Sequence, residues 1–543
     1  MTPSSQNYSG ICHPVANFCH SAANFRVQYE KNTSHEATGV SFQILSKYLR
    51  DKNQFEYYSA LKLLNAVQDA MCIADLDLSA EPAMLKIFAQ HKANLCKHHL
   101  INHPADIQFA IQQFQKYGLG SLDYNDTELA NRLSDSRFWF RRIRRKTIEI
   151  IGQIERAINH VSKRKAIYCG DTSFANFKHS QQLSEQYMKR THLENEDGLS
   201  ISLHEIAEHN ISNPAIRRAE LMVRIRGFEE VAQQCGHAAI FTTITTPSRM
   251  HATHSTGLPN AKYDGSSVAD AQAYLNHVWQ LIRAKLDRSD IKPYGFRVVE
   301  PHHDGTPHWH LLLFMPNEQI NTFKNITTDY ALLDSPDEKG AQDYRINYVD
   351  IDPAKGSAAG YIAKYVAKNI DGFALDTDRY GVQAIDAAQR TSAWARANNI
   401  RQFQQIGGPS VTVWRELRRL KGCETPFNDL NESYQAADSA NWAAFCFAMN
   451  AVNTKRSEHR IAPYYAIKES EVIDYLSGEI NSTSLNKYGE QRKASITGLR
   501  FMDCSFSTRL KKWRILKEPP SRDAIPPFGG VALSEVEFLD LCK

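Results

Sequence analysis

Two hydrophobic periods alternate along this chain. From residue 41 to about 130 apolar positions recur at three and four (Phe42, Leu45, Leu49, then Tyr58, Leu61, Leu64, Val67), which predicts helices. Residues 238–247, rich in Ile, Phe and Thr and closed by Pro247, predict a strand. Ser267 then caps a predicted helix with Val268, Ala271, Tyr274, Leu275, Val278, Ile282 and Leu286 at core spacing. Residues 294–300 predict a second strand, and the run headed by His308 is too apolar and too short for anything but a buried one. Asp304-Gly305 between them is a hairpin signal. A loop-rich insert (317–345), a strand at 344–351 and a helix from about 361 follow. Strands joined by hairpins, with helices on one face, predict an α+β fold with an antiparallel sheet.

Alternation along the buried strand puts His308 and His310 on one face and Trp309 and Leu311 on the other, so two imidazoles are aligned as metal ligands. Glu300 on the preceding strand could complete the set, and register decides whether it does. A two-residue turn pairs Glu300 with Trp309 and aims its carboxylate away; an odd loop with a bulge, expected here, pairs it with His310 on the metal face. His302 and His303 cannot both share that face, so they are expected to support the ligands or to contact a substrate. Mixed imidazole and carboxylate ligation suits Mg²⁺ or Mn²⁺ in function, with zinc or nickel as tighter binders in vitro.

At 100° per residue on a helix, Tyr361, Tyr365 and Lys368 fall in one sector with Lys364 beside it, while Ile362, Val366 and Ile370 form the opposite stripe. The apolar stripe docks the helix and leaves the phenols facing out of the core. Two phenols one turn apart, beside ammonium groups and a hard-cation site, point to phosphodiester chemistry with tyrosine as nucleophile. Two tyrosines packed on a sheet are the plain alternative for the helix taken alone; the neighbouring metal motif favours chemistry.

His308-Trp309-His310 together with Tyr361-x-x-x-Tyr365-x-x-Lys368 resembles the HUH-class rolling-circle replication initiators. The longer strings at 300–314 and 404–417 look like the bacteriophage replication gene A protein family of temperate phages and prophages. That resemblance implies a five-stranded sheet with the metal on its central strands. It also implies a single-strand endonuclease and joining enzyme that nicks a replication origin through a 5′-phosphotyrosine and starts rolling-circle replication, its two tyrosines alternating. Catalytic roles are then expected for Tyr361, Tyr365, Lys368 and Lys364, and metal ligation for Glu300, His308 and His310. A plasmid relaxase or single-strand transposase of the same chemistry, a DNA binder with a structural metal, and a water-using phosphodiesterase are the alternatives.

Composition adds limits. The chain has 543 residues and a net charge of only +4, so a nucleic-acid surface must come from local patches. The densest patch, residues 137–146, interleaves Arg137, Arg141, Arg142, Arg144 and Arg145 with Phe138, Trp139 and Phe140. It reads either as phosphate contacts with aromatic faces for unpaired bases or as a helix with its aromatics in the core, and the downstream site tips it toward DNA. Thr243, Thr245 and Arg249 are further candidates for the DNA backbone, with a plain core strand as the alternative for the threonines. Residues 401–420 hold a glycine pair before a basic helix, either a phosphate-binding turn or a turn into a surface helix.

Ten dispersed cysteines read as reduced thiols, and no secretory signal or bilayer-spanning run is expected. A bacterial cytoplasm is the expected compartment. No Gly-Lys-Ser/Thr occurs, so strand separation is assigned to a host helicase and its replication machinery, with DNA as the other partner and no membrane. The expected organisation is a flexible leader (1–35), a mainly helical region (36–205) with a DNA-contacting segment (137–165), a catalytic domain (206–425) and an accessory region (426–543).

Overall fold

The computed structural model describes residues 67, 69–378, 380–420, 430–452, 454–467, 469–473, 480–509 and 511–516. The expected leader, the helical pattern over 41–66 and the proline-rich tail beyond 516 lie outside the described residues.

A short antiparallel pair of strands, Cys72–Ile73 and Leu76–Asp77, precedes four helices: α1 (Pro82–Asn102), α2 (Ile107–Gln115), α3 (Asp126–Leu133) and α4 (Ser136–Ala157). Pro82 opens α1, and Asn125 starts α3 through a reciprocal capping box with Glu128. Their apolar stripes enclose a core of their own around Phe114, Tyr117, Trp139 and Ile143.

The rest is built on a five-stranded sheet. Helix α5 (Pro214–Cys235) ends at Gly236, whose φ of +67° closes the helix with little steric cost. The chain then runs through β1 (His237–Ile244), α6 (Val268–Arg288), β2 (Tyr294–Pro301), β3 (Pro307–Pro316), α7 (Ile320–Ala331), β4 (Ile346–Asp350), α8 (Ala358–Ile370), α9 (Ala384–Ala397), β5 (Phe403–Ile406) and α10 (Val411–Arg418). Spatial order is β4-β1-β3-β2-β5, antiparallel throughout. The α+β reading therefore holds.

The expectation of helices on one face does not. Leu312 and Phe314 of β3 pack with α5, α8 and α10, whereas Trp309, Leu311, Leu313 and Met315 enter a second core under α6, α7 and α9. The cause is visible in β3 itself, where both parities are apolar and every residue from Pro307 to Met315 is buried. Each such side chain contributes roughly 1.5–3 kcal/mol on burial, so both faces acquire a cover.

Helices α11 (Asn431–Asp438) and α12 (Trp442–Ala448) and a three-stranded antiparallel sheet (Ile461–Ala466, Ser495–Phe501, Cys504–Ser507) follow. Trp442, Phe445, Leu499 and Phe501 share the core of α5 and α8, so residues on both sides of 425 build it. Among the described residues, Cys72, Cys96, Cys169, Cys235, Cys446 and Cys504 are free thiols, and no helix is long and apolar enough to cross a membrane.

Candidate active site

The β2–β3 hairpin closes through His302 N donating to Thr306 O (2.7 Å) and Gly305 N donating to His302 O (2.9 Å), with Gly305 at φ +79°. The loop is odd in length, as expected, and Glu300 shares a face with the two histidines. Its partner differs: Glu300 lies opposite His308, and Val298 opposite His310. A three-residue loop centred on Asp304 pairs positions equidistant from it, and 300 and 308 are such a pair.

One ligand atom each from Glu300, His308 and His310 can be chosen so that all lie within 4.8 Å of one another, and all three residues are buried. Two imidazole nitrogens and a carboxylate oxygen gathered this closely fit a divalent cation. Nε2 of His310 is 3.7 Å from Glu300 Oε2, and its Nδ1 is 3.0 Å from Thr243 Oγ1. With Nε2 turned to the cluster, Nδ1–H donates to the threonine and fixes the ring. Thr243, expected to touch DNA, thus orients the His310 ring.

Glu300 is held from helix α8 as well. Lys368 Nζ stands 3.0 Å from Oε2, and the Asn369 amide donates to Oε1 and to Tyr365 O (2.7 Å). Burial opposes ionisation of Glu300, but the Lys368 ammonium and His310 outweigh it and keep the carboxyl below the usual range.

Ser357 caps α8 by accepting from Gly360 N (2.9 Å), and Glu229 accepts from the Ala358 and Ala359 amides (2.6 and 3.3 Å). Ile362, Val366 and Ile370 dock the helix, as the stripe predicts. The half-buried Tyr365 has its ring centre 4.4 Å from that of His310 and stacks on Phe241 at 5.2 Å. Tyr361, also half-buried, meets Phe241 edge-to-face with ring centres 4.7 Å apart. Lys364 is exposed, its Nζ 5.2 Å and 5.0 Å from the centres of the two phenol rings.

The hairpin tip is anchored from far away in sequence. Arg156 of α4, 3% exposed, donates to the carbonyl oxygens of Asp304 (3.2 Å), Ser266 (2.8 Å) and Met250 (3.1 Å) and to Thr306 Oγ1 (3.1 Å). The buried Asp304 carboxylate accepts from Ala252 N (2.9 Å), Thr306 N (3.0 Å) and Thr306 Oγ1 (2.9 Å), with His251 Nδ1 at 3.3 Å. Burial opposes its charge, and His251 and Arg156 more than compensate, holding it well below the carboxylate range. The His302 ring lies 4.0 Å from that of His308 and 5.0 Å from that of His251. His303 is buried, with Nδ1 3.4 Å from Thr253 Oγ1.

Sequence reasoning missed Asn369, Arg156 and Tyr168, and read Asp304 as a turn residue only. Tyr168 is buried at φ +69°, donates to Asp378 Oδ2 (2.6 Å) and has its ring centre 5.2 Å from Lys368 Nζ. Only Asn369 carried a local signal, four residues after Tyr365 on the same helix. The others meet the site through contacts that no sequence period encodes.

The remaining candidates sit elsewhere. Phe138, Trp139 and Phe140 are in the α1–α4 core, which corrects the expectation that bases stack on them. Arg137 and Arg145 are exposed; Arg141 donates to Tyr488 Oη (3.3 Å), Arg142 to Ser121 O (3.4 Å), and Arg144 lies over Phe140 at 5.9 Å. Thr245 Oγ1 donates to Tyr344 O (2.9 Å). Arg249 bridges Asp264 (2.5 Å) and Asp334 (2.7 Å), which neutralise it.

Residues 53–373 match the model of the bacteriophage replication gene A protein family. The chain is 38% identical over 440 residues to the replication gene A protein of Escherichia phage 186, covering 76% of this chain and 61% of that protein. It is 39% identical over 398 residues to the replication protein of Haemophilus phage HP1, covering 72% and 49%. Against a probable replication endonuclease from a prophage-like region of Salmonella paratyphi A it is 32% identical over 349 residues, covering 61% and 44%. The aligned region thus spans between two fifths and three fifths of each of these relatives, and no solved structure matches the chain. With the family model matched over more than half its length, the chain belongs to the bacteriophage replication gene A protein family.

Proposed function

We propose that this protein is an HUH-type DNA nicking and joining enzyme that opens a replication origin and so initiates rolling-circle replication of a phage or prophage genome. The observation that carries this is the Tyr365 ring lying 4.4 Å from that of His310, a member of the Glu300, His308, His310 cluster. The names of the relatives, replication gene A protein and probable replication endonuclease, agree with it.

Glu300, His308 and His310 would hold a divalent cation, Mg²⁺ or Mn²⁺ in function, which supplies polarisation of a non-bridging phosphate oxygen. Tyr365 or Tyr361 attacks the scissile phosphorus. A bond forms from the phenolic oxygen to phosphorus and the bond to the 3′ oxygen breaks; the phenol gives its proton to water, and the leaving 3′ oxygen takes one from water, so no net proton is gained or lost. The ester is exchanged and not hydrolysed, so a 3′ hydroxyl can later reverse the reaction. Lys364, exposed with its Nζ about equally far from both phenol rings, would offset the charge of the phosphate. Lys368 acts on the carboxylate and thereby on the cluster. DNA from the origin is the substrate, and a host helicase unwinds ahead of the synthesis.

The test uses 3′-labelled single-stranded oligonucleotides tiled across the parent replicon, with Mn²⁺. The proposal requires a labelled covalent adduct that disappears in the Tyr361→Phe, Tyr365→Phe double variant. A free 5′ phosphate without adduct would identify a hydrolase, and a shifted band alone would identify a binding protein.

A further inference from the structure

A cleft of ≈ 550 Å³ opens beside the edge strand β5, between α5 and the start of α10. Five guanidinium groups line it, from Arg217, Arg224, Arg401, Arg415 and Arg456, against one carboxylate, Glu220. Glu220 is already engaged: Arg415 reaches it through Nε (3.1 Å) and Nη2 (2.6 Å), and Arg224 Nη2 stands at 3.4 Å. Asp371, the carboxylate that acts on Arg217, is paired with Arg218 at 2.7 Å. The lining therefore carries about four positive charges more than it neutralises.

Part of this excess is built into the interior. Arg224 is 7% exposed, and its buried Nε has no hydrogen-bond acceptor; the buried Nε of Arg217 likewise has none. An ionised side chain out of water with donor capacity unused is costly unless an anion completes it. Burial, together with the like charges of Arg415 and Arg401, brings Arg224 down to about 10 against the pull of Glu220. The Gly407-Gly408 turn, at φ +63° and +66°, delivers the first turn of α10 to the same cleft, where Ser410 and Thr412 are part of the lining and Ser410 makes no side-chain cap. Phe403, half-buried, adds an aromatic face.

The cleft also adjoins the cluster. Gln402 lines it, and the Gln402 amide donates to Asn369 Oδ1 (3.4 Å), the side chain that holds Glu300. An anion long enough to fill the cleft and reach the scissile position is a polynucleotide backbone. We infer that this cleft is a second DNA-binding site, which holds consecutive backbone phosphates of the single strand flanking the scissile bond and so positions that bond against the tyrosines. The inference rests on the nicking function proposed above and adds the place where the flanking strand lies.

The experiment measures binding of fluorescein-labelled oligothymidylates of graded length by anisotropy over a range of salt concentrations. The proteins are the intact chain, an Arg217→Gln, Arg401→Gln variant and an Arg418→Gln, Arg419→Gln control, whose exposed arginines are not among the cleft-lining residues. Matching thermal melts and unchanged Mn²⁺ affinity show that the cleft variant is folded. Long oligothymidylates should bind the cleft variant about tenfold more weakly, with a log–log salt slope shallower by about 0.7 for each phosphate that the protein no longer neutralises. Short ones should bind both proteins alike. Wild-type affinity and slope at every length in the cleft variant, or an equal weakening in the control, overturn the inference. The two proposals fail separately: an adduct from the intact chain with unaltered binding in the cleft variant removes the cleft alone, and weakened binding without any adduct removes the nicking function alone.

Discussion

Lys368 Nζ lies 3.0 Å from Glu300 Oε2, on the same carboxylate oxygen that His310 Nε2 approaches at 3.7 Å. An ammonium ion thus stands beside a ligand oxygen that a divalent cation would use, and the two positive charges oppose each other. At an effective dielectric of about 20, unit charges about 4 Å apart interact by roughly 4 kcal/mol, which relaxation and solvent reduce. Lys368→Met should therefore bind Mn²⁺ about tenfold more tightly in a calorimetric titration while nicking more slowly. Unchanged affinity would mean that the lysine does not compete with the metal.

Thr243 tests the orientation of His310. Thr243→Val keeps the shape and removes the oxygen 3.0 Å from Nδ1. Removing such an outer partner of a ligand costs roughly 10–100-fold in metal affinity or activity. Mn²⁺ titration and adduct formation should fall together. If DNA affinity alone fell, the threonine would touch the DNA backbone after all.

Arg156 is the strongest single anchor of the hairpin tip. In Arg156→Met three main-chain carbonyls lose a buried donor, and the cost should be roughly 3 kcal/mol or more in urea unfolding. Metal affinity should drop as well, because the loop bearing Asp304 sets the register of Glu300 against His308. A fully stable variant with intact metal binding would refute this coupling.

Asp304 makes the same region sensitive to acid. Its carboxyl is held below the ordinary value, so it contributes stability above about pH 4, the unfolded value, and that contribution is lost as the pH falls through its lower folded value. Asp304→Asn should be less stable near neutrality and lose less of its remaining stability on acidification. Parallel unfolding curves for the two proteins from neutral to acid pH would contradict this.

The sequence made the site legible where a local period governs. Strand alternation aligned His308 with His310 and the odd loop brought Glu300 to their face, though opposite His308 instead of His310, while the helical period separated Tyr361 and Tyr365 from Ile362, Val366 and Ile370. It failed where partners are far apart along the chain. Arg156 meets Asp304 across 148 positions and Asn369 meets Glu300 across 69, and neither pairing has a spacing to read. The arginine-rich block misled because Phe138, Trp139 and Phe140 satisfy a helical core as well as they would satisfy stacked bases. Helices on both faces were implied by the apolar residues at both parities of β3, a sign easily taken for the simple buried strand it also is.

The guanidinium of Arg156 has a practical consequence for anyone trimming this protein into a compact tool. A fragment begun downstream of Ala157 would retain Glu300, His308, His310 and both phenols yet leave the tip of the hairpin that carries the cluster without its clasp. The smallest piece that keeps the Glu300, His308 and His310 cluster in place should therefore start no later than α4, unless a replacement cation is grafted into that loop.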